Sequence, residues 1–240
     1  MTLHDGLLLL GGVVVLYLYD SALLLFHNEL VLLSKRRSYD VSAGSAFELG
    51  GRHVFMPSPF FPHQPLFRVS WPEHGAPAHK VPSLRMRRVQ VALAAMAYWL
   101  LLLLTLFAVG LPYVLLVARD VHLLLVWIAA VYAVIAIMLM HVYRYRKALN
   151  LSRRAVAAVA LDALLCAPFA LNVVRKIALR QHFDIDLRAV ASSMLSEKAR
   201  SQLLTILRQR IRISLGFIES DDTATHALTA YLDHFEGLCK

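Results

Sequence analysis

Two long apolar runs joined by a single charged dipeptide constrain this chain more than any other feature. Val89 to Ala118 and Val121 to Tyr143 carry no Asp, Glu, Lys or Arg, and only Arg119 and Asp120 stand between them. About 20 mostly apolar residues suffice to cross a hydrocarbon core of about 30 Å as a helix. Each run is therefore long enough to span, and the short connection requires a tight helical hairpin. A third run, Leu7 to Phe26, carries one charge, Asp20. Composition agrees: 58% of the residues are hydrophobic and 17% charged, against about 25% charged in soluble domains, and the mean hydropathy is +0.57. The expected class is a mainly α integral membrane protein. A disordered chain, a collagen-like repeat and a disulfide-stapled module are excluded. Cys166 and Cys239, the two cysteines, form no CxxC pair and give no zinc site.

The first run reads as a retained anchor, since the leader MTLHDG has no basic residue and no convincing small-residue cleavage site follows. Basic residues supply the orientation. Lys35, Arg36 and Arg37 follow the first span, Arg85, Arg87 and Arg88 precede the second, and Arg144, Arg146, Lys147, Arg153 and Arg154 follow the third. The net charge of +9 therefore reads as an orientation signal and not as a nucleic-acid footprint. The N-terminus and the Arg119 turn are expected outside, the loop and the C-terminal tail in the cytoplasm. A bacterial inner membrane suits this pattern.

A fourth run, Ala155 to Val174, contains Asp162, Pro168 and Asn172 and is flanked by Arg153 and Arg154 before it and Arg175 and Lys176 after it. Basic residues at both ends favour a re-entrant or interfacial helix kinked near Pro168 over a fourth crossing. The expected organisation is an anchor at 1–34, a cytoplasmic loop at 35–88, the transmembrane hairpin at 89–143, a basic linker with its membrane-associated helix at 144–180, and a helical cytoplasmic tail at 181–240.

Within the loop, alternation in FELGGRHVF, with turns at Gly44 and at Gly50 and Gly51, predicts a small β-meander of two to four short strands. It is too short to be stable alone. From Pro57 to Pro82 lie seven of the nine prolines, and Pro59, Pro62 and Pro65 recur every third residue, the period of a polyproline II ridge. Together with Phe60, Phe61, Phe67 and Trp71 this segment is a candidate docking element for a protein partner. In the tail, Leu187, Val190, Ala191, Met194 and Leu195, then Leu203, Leu204, Leu207 and Ile211, fall at helical spacing, with Asp184, Asp186 and Ser196 as cap candidates. A last helix is expected from Thr223 to Phe235, capped by Asp222 and ended by Gly237.

Ionisable groups at membrane depth carry the most chemical information, because each costs at least about 2.5 to 3.5 kcal/mol near the bilayer centre. Asp20 and His27 would share a helical face with Tyr17, and Asp162 and Cys166 another. Such a stripe could relay protons, or Asp20 could pair with a hydroxyl, Arg or His of a neighbouring helix and fix packing. Arg208, Arg210 and Arg212 form a basic cluster able to meet anionic lipid head groups. His53, His63, His74 and His79 are spaced unlike any compact metal motif, and no nucleotide-binding, zinc-protease or serine-hydrolase signature is present. No catalytic residue, metal or cofactor is expected. The function expected is an accessory or scaffolding membrane subunit that meets lipid and either a protein partner or further copies of itself. The competing expectation is a small oligomeric transporter or ion-conducting protein using Asp20 and Asp162.

Overall fold

The hairpin exists, and its tip shows how two residues reverse the chain. In the computed structural model, which describes residues 3–34, 38–45, 47–70, 83–181, 190–191, 194–217 and 222–237, Arg119 takes a left-handed backbone (φ 51°, ψ 27°) and its N–H bonds to the Val114 carbonyl. Asp120 is extended and its carboxylate accepts from His122 N at 2.9 Å, capping the next helix. The described residues form two compact units: Met1–Ala22, Met56–Pro65 and Leu84–Arg180 make one, here the helical unit; Leu23–Phe55, Leu66–Ser83 and Gln181–Lys240 make the other, the sheet unit.

The helical unit holds α1 (Leu3–Ser21), α2 (Ser83–Ala94), α3 (Ala97–Thr105), α4 (Val121–Tyr145), α5 (Arg153–Leu165) and α6 (Val173–Leu179). α3 continues to Ala118 through two π-helical stretches, Leu106–Gly110 and Tyr113–Ala118. Three helices, Leu3–Ser21, Ala97–Ala118 and Val121–Tyr145, are long and apolar enough to cross a membrane, with mean hydropathy 1.4, 2.6 and 2.8. Their outward faces carry exposed Leu8, Val15, Val109, Val117, Leu125, Val126 and Met140, the reverse of a soluble bundle. Small residues let the helices approach: a Cβ on Gly6 would stand 3.2 Å from the Leu115 carbonyl. At Gly110 it would stand 3.1 Å from Trp127 Nε1, which donates to the Leu106 carbonyl at 2.9 Å while its ring meets Phe107 edge-on.

Three expectations for this unit are corrected. The first apolar run does not stay helical to Phe26; its helix ends at Ser21, and Leu23–Leu25 is a strand. The second is cut at Ala95 and Met96, so Val89 belongs to α2. That helix is one-sided, burying Met86, Val89 and Leu93 while Arg85, Arg87, Arg88 and Val91 face outward. The fourth run is not one helix. α5 has 13 residues, about 20 Å of helix against a core of about 30 Å. It stops at Cys166, whose backbone is extended, and a 3₁₀ stretch, Ala167–Asn172, with Pro168 in its first turn leads into α6. Cys166 ends the helix with its N–H still bonded to the Asp162 carbonyl.

Among the described residues of the sheet unit, six strands form two antiparallel sheets: β1 (Leu23–Leu25), β2 (Glu29–Ser34), β3 (Tyr39–Ser42), β4 (Glu48–Leu49), β5 (Arg52–Phe55) and β6 (Leu66–Ser70). Their orders, β1-β5-β4 and β3-β2-β6, replace the expected meander. Strand β2 is flanked on both edges, and Leu30, Val31 and Leu32 are all fully buried. Burial on both faces is why this strand reads as a continuous apolar run without alternation. Helix α7 (Glu197–Phe217), capped by Ser196 Oγ accepting from Ala199 N, buries Leu203, Leu207 and Ile211, and α8 (Asp222–Gly237) follows. The expected segment around Asp184 and Asp186 lies outside the described residues.

The Trp127 contact generates a test. Gly110→Ala pushes on a ring held by a hydrogen bond and an aromatic neighbour, and is expected to cost about 1 kcal/mol or more. A Cβ at Gly11 meets nothing within 4 Å, so Gly11→Ala should stabilise by up to about 1 kcal/mol through helix propensity. Thermal unfolding of the two variants in detergent compares them, and a Gly110→Ala protein as stable as Gly11→Ala would refute the packing argument.

Candidate functional site

Around the last turn of α1 the helical unit gathers its polar groups. Tyr17 and Ser21 lie four residues apart on one helical face, with Asp20 beside them. Facing them, Asn172, Arg175 and Lys176 fall at i, i+3 and i+4 at the start of α6 and project together. Asn172 bonds to three side chains: Nδ2 donates to Asp20 Oδ2 at 3.0 Å and to Ser21 Oγ at 2.9 Å, and Oδ1 accepts from Arg175 Nη1 at 3.1 Å. The Ser21 hydroxyl donates to the Tyr17 carbonyl at 2.8 Å. Lys176 Nζ sits 2.7 Å from Asp20 Oδ1 and 3.6 Å from Asp162 Oδ2, and 4.7 Å over the Phe169 ring. One ammonium thus joins α1, α5 and α6. The Asp20 side chain is 11% exposed and that of Asp162 48%, so the first carboxylate depends on the pair far more than the second.

The proline segment enters the same cluster. Phe61 N bonds to the Ser58 carbonyl and Gln64 N to the Phe61 carbonyl, giving two successive turns with Pro59 and Pro62 at their second positions, where a fixed φ suits proline. Arg175 Nη2 donates to the same two carbonyls, at 2.6 Å to Ser58 and 3.0 Å to Phe61, and the Tyr17 hydroxyl donates to the Pro59 carbonyl at 2.7 Å. Turns replace the expected polyproline II ridge, because tight turns present their carbonyls to a buried guanidinium and an extended helix would not. Pro62 and Pro65 are buried, whereas Phe60 and Phe61 stand 73% and 54% exposed. Phe67 is fully buried in β6 opposite Leu32, and Trp71 lies outside the described residues. Burial and the nearby Arg175 charge push His63 below the ordinary histidine range.

The remaining candidates fall elsewhere. His27 is in the sheet unit, in a turn closed by Glu29 N bonding to the Phe26 carbonyl, and its Nε2 contacts the Arg210 carbonyl at 2.8 Å. Arg210, expected at lipid head groups, is 5% exposed and donates to the carbonyls of Phe26, His27, Glu29 and Ala43. It closes strand ends and cannot reach a lipid surface. Arg208 and Arg212 lie on the outer face of the same helix. Burial and the Arg210 charge hold His53 below its usual pKa, with Glu48 opposing. Among the described residues no group of three or more His, Cys, Asp and Glu could hold a metal ion; His74, His79 and Cys239 lie outside them.

Comparison of the chain with family models, with curated proteins and with solved structures finds no match. Its function must be argued from this geometry. Asn172, Arg175 and Lys176 are the residues that sequence reading missed. Their i, i+3, i+4 spacing after a proline was the available signal, masked by reading the two cations only as orientation charges.

The pair predicts a double-mutant signature. Asp20→Leu removes the nearer partner of Lys176 and an acceptor of Asn172, and is expected to cost about 2 to 4 kcal/mol. Asp20→Asn keeps an acceptor for Asn172 and leaves Lys176 with Asp162, for a cost of about 1 kcal/mol. Lys176→Met should be severe alone and milder in the Asp20→Asn background, because the uncompensated carboxylate is then gone. Additive losses in detergent unfolding would show that the two groups do not act as a pair.

Proposed function

We propose that this chain is a non-catalytic accessory or scaffolding subunit of a membrane protein complex, with its N-terminus outside and its loop and tail in the cytoplasm of a bacterial inner membrane. The observation that carries this reading is the pair of exposed aromatic rings, Phe60 and Phe61, on a double proline turn anchored by Arg175 and Tyr17. Large apolar side chains on a backbone that is already ordered lose little entropy on binding, and aromatic anchors are the commonest interface hot spots. The docking element narrows accordingly from the whole proline segment to Pro59, Phe60 and Phe61.

The alternative, a small oligomeric transporter using Asp20 and Asp162, draws on the one observation that both carboxylates meet Lys176. Against it, Asp20 is the penultimate residue of α1, at the end of the first apolar helix and not at its middle. A carboxylate at a helix end, already neutralised by Lys176, needs no ion pathway to account for it.

Photo-crosslinking tests the docking surface in the native membrane. A crosslinker at Phe60 or Phe61 is expected to give one defined protein adduct, lost when the other ring becomes serine, while the amount of this chain in the membrane stays near normal. Adducts with lipid alone would sink the scaffold reading. Reporter fusions after Ser70, Arg119 and Lys240 test the orientation, and an externally active reporter at Ser70 would reverse it. Ion flux in proteoliposomes that vanishes in a well-folded Asp20→Asn protein would favour the transporter.

A further inference from the structure

The groove between α2 and the end of α4 has a chemistry that neither the polar cluster nor the proline turns use. It encloses about 580 Å³, within the range of small-ligand sites. Val91, Ala92, Ala95 and Ala148 make it apolar, and Tyr145 walls one side. The ring of Tyr145 is fixed by stacking on His141 at 4.4 Å, and His141 Nε2 in turn lies 3.4 Å from the Ala92 carbonyl. At its rim stand Arg87 and Arg88, both exposed and, among the described residues, paired with no carboxylate. Val91, 65% exposed, leaves apolar surface directly beside them.

The surroundings reinforce this sign of charge. From Ser83 to Ala118 and from Val121 to Leu161 the chain contains no Asp or Glu, while Arg144, Arg146 and Lys147 flank Tyr145. An apolar floor with an unpaired double-cation rim complements an amphiphile whose polar end is anionic. A free phosphate would leave the floor empty, and a neutral lipid would leave the guanidinium groups unpaired. We infer that this groove binds one anionic phospholipid, its acyl chain along Val91, Ala92, Ala95 and Ala148 and its phosphate on Arg87 and Arg88. The lipid contact thus falls on α2, at the entry to the second apolar helix. The inference rests on the chain entering a bilayer and is independent of the docking role of Phe60 and Phe61.

The test uses the full chain in mild detergent, titrated with phosphatidylglycerol and with phosphatidylcholine of the same acyl chains, and reads bound lipid by native mass spectrometry. One phosphatidylglycerol per chain is expected to be retained in preference to phosphatidylcholine. Arg87→Gln with Arg88→Gln should weaken that binding by roughly 10- to 30-fold, the effect of two cations near a phosphate. Ala95→Phe, which fills the floor and leaves every charge in place, should weaken it as well. Arg153→Gln with Arg154→Gln, an exposed basic pair away from the groove, should change nothing. Equal retention of both lipids, an equal loss in the Arg153 and Arg154 variant, or displacement by inorganic phosphate at matched concentration would overturn the proposal. Unchanged unfolding midpoints establish that losses are not failures to fold, and the two groove variants fail by different routes if either is unstable.

Discussion

An ammonium held between two carboxylates at the edge of an apolar bundle sets the geometry of the helical unit. Lys176 cannot be withdrawn from water cheaply, and Asp20, 11% exposed, is the partner that makes its position tolerable. Their separation of 2.7 Å fixes the start of α6 against the end of α1. Once that is fixed, Asn172 is within reach of Ser21 and Arg175 is aimed at the carbonyls of Ser58 and Phe61. A segment with no regular secondary structure of its own is thereby held by donors from elsewhere in the same unit. Such arrangements are sensitive to single losses, because each group left behind is a buried polar atom without a partner.

Ser21 is the last residue of the first apolar helix. Its hydroxyl folds back to the Tyr17 carbonyl and its Oγ accepts from Asn172 where the helix ends, and Leu23–Leu25, which would continue a helix by composition, pair with β5 instead. The strand was invisible in sequence because three leucines fit a helix and a buried strand equally, and its partner strand at Arg52–Phe55 is not a local neighbour. The tight hairpin at Arg119 and Asp120, by contrast, was legible, since absence of charge over a span length on either side of two residues is a local fact, whereas the break at Ala95 and Met96 was not. So were the helix capped by Ser196 and the helix that begins at Asp222, whose spacing is contiguous.

Arginine gave the most misleading signal. A cluster such as Arg208, Arg210 and Arg212 reads as a surface, but alternate positions on a helix point different ways, and Arg210 falls on the side of Leu203, Leu207 and Ile211. Its guanidinium gathers four carbonyls from Phe26 to Ala43, a role that follows from its fork of five donors and that lysine could not fill. The proline segment misled for a related reason. A three-residue period is shared by an extended ridge and by consecutive turns with proline at their second positions, and only the buried guanidinium of Arg175 selects the turns.

The two-residue tip of the hairpin bears on how such a chain is made. Helices joined by Arg119 and Asp120 alone leave no slack between them, so two helices long and apolar enough to cross a membrane would have to enter a bilayer as a single cooperative piece. The dipeptide at the tip is itself neutral overall, one cation beside one anion, so moving it into or through a bilayer would carry a low barrier. Neutralising either residue alone would leave a net charge at the leading point of the inserting hairpin, slowing its delivery to the membrane even where the finished fold tolerates the change.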